Sequence, residues 1–343
     1  MKKMISLMIT LAMLTVIFTG CSTAPAQSSA PATSSAEATS SETIIKVDWP
    51  TQSVQLIVAS TAGGLADTHA RIVADYLQKK TGVPFAIVNQ PDGGGIVAYD
   101  TVRNSKPDGT TLLFHHSNFL INCVTGFYEA DPLSDFTTIA ALESAGAMVV
   151  IVPANSPYQT LDDYINDALA RPGEVSFGIQ TGGASHFLGA LLSKDKDVKL
   201  NYIEVGNQTE KIASLLGGFI DACHVSPSAA KQYIESGDVR ALCSSDSVVD
   251  PNFPDFIPAA DMGYPSAVYM PYFWLIGPKD MDPALCEAIN IAFKDIQDDP
   301  EMQQAFANQA SSYQWKNYED SQKQMEEQLQ MHREVAAMIG MVG

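Results

Sequence analysis

The feature that most restricts how this chain folds is a set of glycine-rich junctions, each placed between an apolar run and an amphipathic stretch. Residues 54–59 (VQLIVA) read as a buried strand and run into Ala59-Ser60-Thr61-Ala62-Gly63-Gly64-Leu65-Ala66-Asp67. Ala66, Ala70, Val73 and Leu77 then recur at helical spacing as far as Lys80. The same grammar returns at residues 85–88 before Asn89-Gln90-Pro91-Asp92-Gly93-Gly94-Gly95, and at 175–180 before Thr181-Gly182-Gly183-Ala184-Ser185-His186. Residues 111–114 form a further strand after the turn Lys106-Pro107-Asp108-Gly109. Residues 198–205 precede a helix from Thr209, and 220–225 precede one over 228–236. Strand, turn and helix in alternation predict mainly parallel sheets flanked by helices, an α/β class.

Two segments resemble each other: 149–172 (VVIVPANSPYQTLDDYINDALARP) and 274–300 (WLIGPKDMDPALCEAINIAFKDIQDDP). Each is an apolar strand ending in Pro, a polar loop, a helix and a closing Pro. Such quasi-equivalent segments suggest a chain that passes between two lobes, once out and once back, and so a hinge and a cleft. The expected division is 44–147 plus 270–343 for the first lobe and 148–269 for the second. A polar helix over Tyr318 to Met338 is expected to lie on the first lobe. A length of 343 residues suits two lobes.

The N-terminus reads as a targeting segment. Lys2 and Lys3 precede an apolar run from Met4 to Phe18, shorter than the ~20 residues of a spanning helix. The run ends in Phe18-Thr19-Gly20-Cys21, which resembles a bacterial lipobox with Phe18 in place of the usual Leu. The expectation is a lipoprotein signal peptide over 1–20 and lipidation at Cys21, against a plain secretory signal that happens to hold a Cys. Residues 21–43 are Ser, Thr, Ala, Pro, Gln and Glu after the Cys, a flexible linker with too little apolar surface to offset its ordering entropy. The protein is then exported and tethered to the outer face of the cell membrane. Cys123, Cys223, Cys243 and Cys286 show no CxxC spacing, so no metal site is expected; Cys223 and Cys243 read as core residues more readily than as a disulfide.

The formal charge of −19 makes nucleic acid and anionic membrane surfaces poor partners. It leaves room for small anions, because backbone N–H groups at a helix start favour negative charge. The segment Ala62, Gly63, Gly64, Leu65, Ala66, Asp67 has that form. It lacks the spacing of a dinucleotide fingerprint or a P-loop, so no nucleotide cofactor is implied, and its glycines also suit a plain tight turn. Thr181, Gly182, Gly183, Ser185 and His186, Gly206-Asn207 and Ser226-Pro227-Ser228 supply further polar strand ends. In open α/β sheets ligands bind beyond the carboxyl ends of strands, so these loops are candidates to converge on one cleft. Catalysis finds little support: Ser185 and His186 are adjacent and point apart, no Gly-x-Ser-x-Gly elbow is present, and His69, His115 and His116 lack zinc-ligand spacing. Most acidic residues, as at 295–301, read as solvated.

Taken together, Trp49-Pro50, Ala62-Gly63-Gly64 to Asp67, Asn89 with its Gly run, Pro107-Asp108-Gly109-Thr110-Thr111-Leu112, Ala170-Arg171-Pro172-Gly173, Gly182 to His186, Leu215-Leu216-Gly217-Gly218 with Asp221, and Gly237-Asp238-Val239-Arg240-Ala241-Leu242 resemble, in order and spacing, the extracytoplasmic solute receptors of tripartite tricarboxylate transporters, the TctC or Bug type. The resemblance implies a two-lobed Venus-flytrap receptor, not an enzyme, that needs no cofactor. It implies capture of a small organic carboxylate, di- or tricarboxylate or related acid, and delivery to membrane permease subunits. Carried over, the site is Ala62 to Asp67, Ser117 and Asn118, Thr181 to His186, Asn207 and Ser226. The chain departs from the family's Pro-rich approach at 59–64 and has His115-His116 where small residues are common. A monomer is expected. Two other readings stay open: a sensor of the same fold presenting its ligand to a membrane kinase, and an exported hydrolase using Ser185 or Ser226.

Overall fold

A computed structural model describes residues 48–145, 148–251, 253–309 and 311–342. The expected signal peptide over 1–20 and the Ser/Thr/Ala/Pro linker over 21–43, Cys21 included, lie outside the described residues. The chain runs β1 (Val54–Val58), α1 (Leu65–Thr81), β2 (Phe85–Asn89), α2 (Ile96–Arg103), β3 (Thr111–His116), α3 (Asn118–Val124) and β4 (Phe136–Ala145). It continues as β5 (Val149–Pro153), α4 (Leu161–Ala170), β6 (Ser176–Ile179), α5 (Ala184–Lys194), β7 (Asn201–Glu204), α6 (Gln208–Leu216), β8 (Ala222–Val225), α7 (Pro227–Glu235) and β9 (Val239–Ser244). Then follow β10 (Tyr272–Pro278), α8 (Pro283–Ala292), α9 (Asp295–Asp298), α10 (Pro300–Ala307), β11 (Ser312–Trp315) and α11 (Tyr318–Met338).

The strands form two sheets, ordered β11-β4-β10-β3-β1-β2 and β7-β6-β8-β5-β9. The strands joined by crossover helices are parallel: β1 with β2 and β3, and β6 with β7 and β8. β5 and β10, the similar segments of the sequence, instead run antiparallel to their neighbours, so both sheets are mixed. The reason is topological. β5 is where the chain enters the second sheet directly from β4, and β10 is where it re-enters the first after β9, with no crossover helix to set a parallel direction. Each of these two strands also carries a register shift, at Val150/Ile151 and at Leu275/Ile276.

Helices cover both faces of the first sheet. On one face α1 and α8 bury Ala70, Val73, Leu77, Cys286 and Ile289 against Leu56, Val58 and Leu275. On the other, α11 sets Met325, Leu329, Val335 and Ala336 in one apolar cluster with Trp274, Tyr99 and Phe119. That cluster extends into Phe187, Leu188 and Leu191 of α5, so α11 packs on the first sheet and also meets a helix of the second. Cys223 and Cys243, on β8 and β9, are free thiols buried in the core. The acids at 295–301 are engaged with α1: the Tyr76 hydroxyl donates to Asp295 at 3.0 Å and Asp299 at 3.1 Å, and Lys79 pairs with Glu301 at 2.8 Å.

One buried amide ties three elements. Asn290 on α8 is 1% exposed; its Nδ2 donates to the carbonyls of Ile139 at 2.9 Å and Lys316 at 3.0 Å, and its own carbonyl accepts from Trp315 Nε1 at 3.0 Å. Replacing it with Leu takes a donor from two carbonyls, of which that of Lys316 keeps the Ser321 hydroxyl at 3.0 Å, and a buried carbonyl left unpaired costs ~1–3 kcal/mol. Asn290→Leu is expected to lower the urea midpoint by an amount equivalent to about 2 kcal/mol or more, with an unchanged slope.

The six histidines are all at least partly withdrawn from water, His69 and His332 completely. Burial pushes His69, His116 and His332 down to about 4, and His115 and His224 well below the usual 6.5. Between pH 6.5 and about 4 the unfolded chain therefore takes up protons that the native chain refuses. Stability then falls as pH falls, by ~1.4 kcal/mol per unit for each such group. The melting midpoint is expected to drop steadily from pH 7 to pH 5; a flat or rising midpoint would contradict this.

Candidate functional site

The β1–α1 junction is built around Asp67. Gly63 takes φ +81°, which only glycine adopts without strain, and its amide donates to Asp67 Oδ2 at 2.8 Å. Arg71 clasps the same carboxylate through Nε at 3.0 Å and Nη2 at 2.9 Å, and Asn89 Nδ2 donates to Oδ1 at 2.9 Å. Burial alone would raise the Asp67 carboxyl; the Arg71, Gly63 and Asn89 donors outweigh it and hold the group below the usual carboxylate range. Asp67 is thus a positioning residue whose carboxylate is consumed inside its own loop. Gly64 is the N-cap of α1 and offers no side-chain acceptor, so the first-turn amides of Leu65, Ala66 and Asp67 have none among the described residues.

The β6–α5 junction repeats the device in the second sheet. Ser185 Oγ accepts from the Gln180 amide at 2.6 Å, Glu204 Oε2 accepts from Thr181 at 2.5 Å, and the Gln180 carbonyl accepts from Gly183 at 2.9 Å. Gly182 takes φ +69°, and its amide faces His186 Nδ1 at 3.4 Å. Gly183 caps α5 without a side chain, leaving the amides of Ala184 and Ser185 open among the described residues. Helices α4, α6, α7, α8, α10 and α11 are different: each begins with a side chain that accepts a first-turn amide.

A cavity of about 440 Å³ lies where four parallel strands end, β1 and β3 from one sheet, β6 and β8 from the other. Leu65, Ser117, Asn118 and Ser226 stand on its wall, as does Ala184 at the head of α5. Ala62, Gly63, Gly64, Ala66, Asp67, Thr181, Gly182, Gly183, Ser185 and His186 are not on that wall; they belong to the two junctions that bring Leu65 and Ala184 to it. Asn207 is committed to its own helix. Its side-chain oxygen accepts from Thr209 at 2.9 Å and Glu210 at 3.2 Å, and Glu210 returns the bond to the Asn207 amide. The Asn-x-x-Glu spacing of a capping box was visible in the sequence. Ser185 is buried and bonded to its own loop, and the His186 ring packs on Tyr202, so no nucleophile–base pair forms.

Sequence reasoning missed His69, Met148, Tyr269, Phe273 and Gln309, which also line the cavity. His69 had a signal, since it lies one helical turn beyond Leu65 on the same face. Tyr269 lies in the irregular return segment before β10, where periodicity says nothing. His116 reaches the wall, while the neighbouring His115 is buried beside Tyr99. A larger hollow of about 550 Å³, lined by Phe253, Ile296 and Tyr313, shares Ser311 with this cavity but has neither helix start in its wall. No cluster of metal-ligating side chains occurs among the described residues.

A model of the tripartite tricarboxylate transporter family receptor (TctC) matches residues 69–341. BugT of Bordetella pertussis is 28% identical over 267 residues, covering 77% of this chain and 82% of that one. A TctC solute-binding protein from Polaromonas superposes with a TM-score of 0.75 at 21% identity, over 84% of this chain and 99% of that one. An R. palustris protein with adipate gives 0.68 at 22% (85% and 99% covered), and MatC of Rhodopseudomonas palustris with bound malate gives 0.64 at 21% (84% and 99%). These likenesses show the fold of periplasmic solute-binding proteins. No helix among the described residues is long and apolar enough to cross a membrane. Family and fold are those of extracytoplasmic receptors rather than enzymes: the chain belongs to the tripartite tricarboxylate transporter receptor family of solute-binding proteins.

Proposed function

We propose that this chain is an exported, monomeric receptor, anchored by a lipid on Cys21, that captures a small carboxylate and hands it to the membrane subunits of a tripartite transporter. The lobes are 44–147 with 270–343, and 148–269; the two sheets, with crossings after β4 and after β9, support that division. Malate and adipate in the related structures support a carboxylic acid ligand.

The observation that carries the reading is the pair of open helix starts. α1 and α5 come from different sheets, each begins at an uncapped glycine, and each places its first residue on the same cavity. A carboxylate there accepts amide hydrogen bonds from both sheets and meets the positive ends of both helices. Charge-assisted bonds of this kind are worth ~1.5–3 kcal/mol each. Because both sheets supply donors, binding favours the arrangement that brings both sets to the ligand, which is how the ligand closes the lobes.

Proline tests this directly, since it removes one N–H yet suits the first position of a helix. Gly64 (ψ 169°) and Gly183 (ψ 176°) are both extended, the conformation that a following proline requires. Leu65→Pro and Ala184→Pro are each expected to leave the unliganded melting midpoint nearly unchanged. Each should weaken, by about tenfold or more, the carboxylate that gives the largest thermal shift in a screen, measured by calorimetry. Leu65→Ala controls for the lost side chain. Unchanged affinity in both proline variants would place the site elsewhere.

A further inference from the structure

One residue of the cavity wall has its hydrogen-bonding direction fixed before any acid arrives. His116 ends β3 and lines the cavity together with Leu65, the first residue of α1. Three contacts hold its ring. The imidazole lies against that of His115, with ring centroids 4.1 Å apart, and meets the Phe273 ring edge-on at 5.9 Å. Phe273 is its register partner on β10, so the strand pairing itself sets that contact. The third contact is polar: His116 Nδ1 accepts the backbone N–H of Asn118 at 3.3 Å.

That bond decides the tautomer. A neutral imidazole has one N–H and one bare nitrogen, and the nitrogen that accepts is the bare one. Burial pushes His116 down to about 4, so the ring is neutral at physiological pH and its single proton sits on Nε2. Nothing among the described residues accepts that proton. The other histidines differ. The unpartnered ring nitrogens of His69, His115, His224 and His332 are shut away from water, whereas His116 is half-buried on the wall of the cavity.

An open N–H held in one direction sorts what is placed against it. It bonds to a carboxylate, carbonyl or hydroxyl oxygen and gains nothing from a methyl group or another N–H. A group that excludes water from it without accepting the bond leaves it stranded. We propose that His116 is a specificity-determining residue of the receptor. Its Nε2–H donates to a second oxygen group of the acid (hydroxyl, carbonyl or further carboxylate), beyond the carboxylate held by the starts of α1 and α5. This rests on the carboxylate-receptor reading and adds a side chain to it: the two helix starts serve any carboxylate, and His116 separates acids that carry a second acceptor from those that do not.

The test is calorimetry on the full-length protein in detergent, freed of carried ligand by unfolding and refolding, with acids in matched sets. Lactate is compared with propionate, malate and succinate with butyrate, adipate with hexanoate, and 4-hydroxybenzoate with benzoate. At least one oxygenated acid is expected to bind about tenfold or more tightly than its plain partner. In His116→Phe, which keeps a ring and loses the donor, that ratio is expected to collapse towards one. In His116→Gln, whose amide N–H has the reach of the imidazole Nε2, most of it should survive, and neither variant should shift the unliganded melting midpoint by much. In the wild-type protein, the Nε2 proton resonance of His116 should move with the oxygenated acid and stay in place with its plain partner. A ratio unchanged in His116→Phe, an equal loss in both variants, or plain acids that bind as tightly as their partners overturns the assignment and leaves the receptor reading standing. If no acid of either kind binds, the receptor reading falls with it.

Discussion

The first amides of an α-helix have no acceptor within the helix, and whatever satisfies them decides what the helix start is for. Among the described residues six helices begin with a side chain that accepts one or two of them. α1, α2 and α5 begin at a glycine with no side-chain cap, and of these α1 and α5 place their first residue on the cavity. In an acidic chain with no Lys or Arg among the described residues that line the cavity, the proposed reading is that these amides hold the anion. The fold positions them: two sheets, each delivering a parallel strand, a glycine turn and a helix start to one place.

Open amides bind well only if they do not have to be organised on binding, and both junctions are fixed from behind. Asp67 gathers Gly63, Arg71 and Asn89 into one set of bonds, while Ser185 and Glu204 hold the 180–183 turn. The acids beside the anion site thus face away from it in function, each spent on backbone or guanidinium donors. α11 lends a second kind of order. Packed on the first sheet and against α5, it spans the two halves on the side where the chain ends, so lobe movement must preserve or repack that contact.

Much of this was legible in the residues, and the losses have physical reasons. Apolar runs ending in glycine placed β1, β2 and β6, and the starts of α1 and α5, to within a residue or two, because each junction needs a conformation that few residues adopt. The helix over Tyr318–Met338 was legible from its polar periodicity. β4 was not: Ile139, Ala140, Ala141 and Leu142 are all buried, so no alternation marks the strand. The antiparallel course of β5 and β10 was equally hidden, since direction comes from the connections and not from composition. At the site, Leu65, Ser117, Asn118 and Ser226 could be named because they follow strand ends. Asn207 caps α6 here, and a capping side chain and a ligand-binding one look alike in sequence. His69 and Tyr269 came to the wall through tertiary packing alone.

The central claim is that the open amides of α1 and α5 receive the ligand's carboxylate together. Backbone amide resonances followed by NMR, with and without the tightest-binding acid, test it most directly. The account predicts large downfield proton shifts for Leu65, Ala66, Ala184 and Ser185 in a single binding event, with Gly63 and Thr181 nearly unmoved because their protons already have acceptors in Asp67 and Glu204. Large shifts elsewhere while these four stay in place would contradict it.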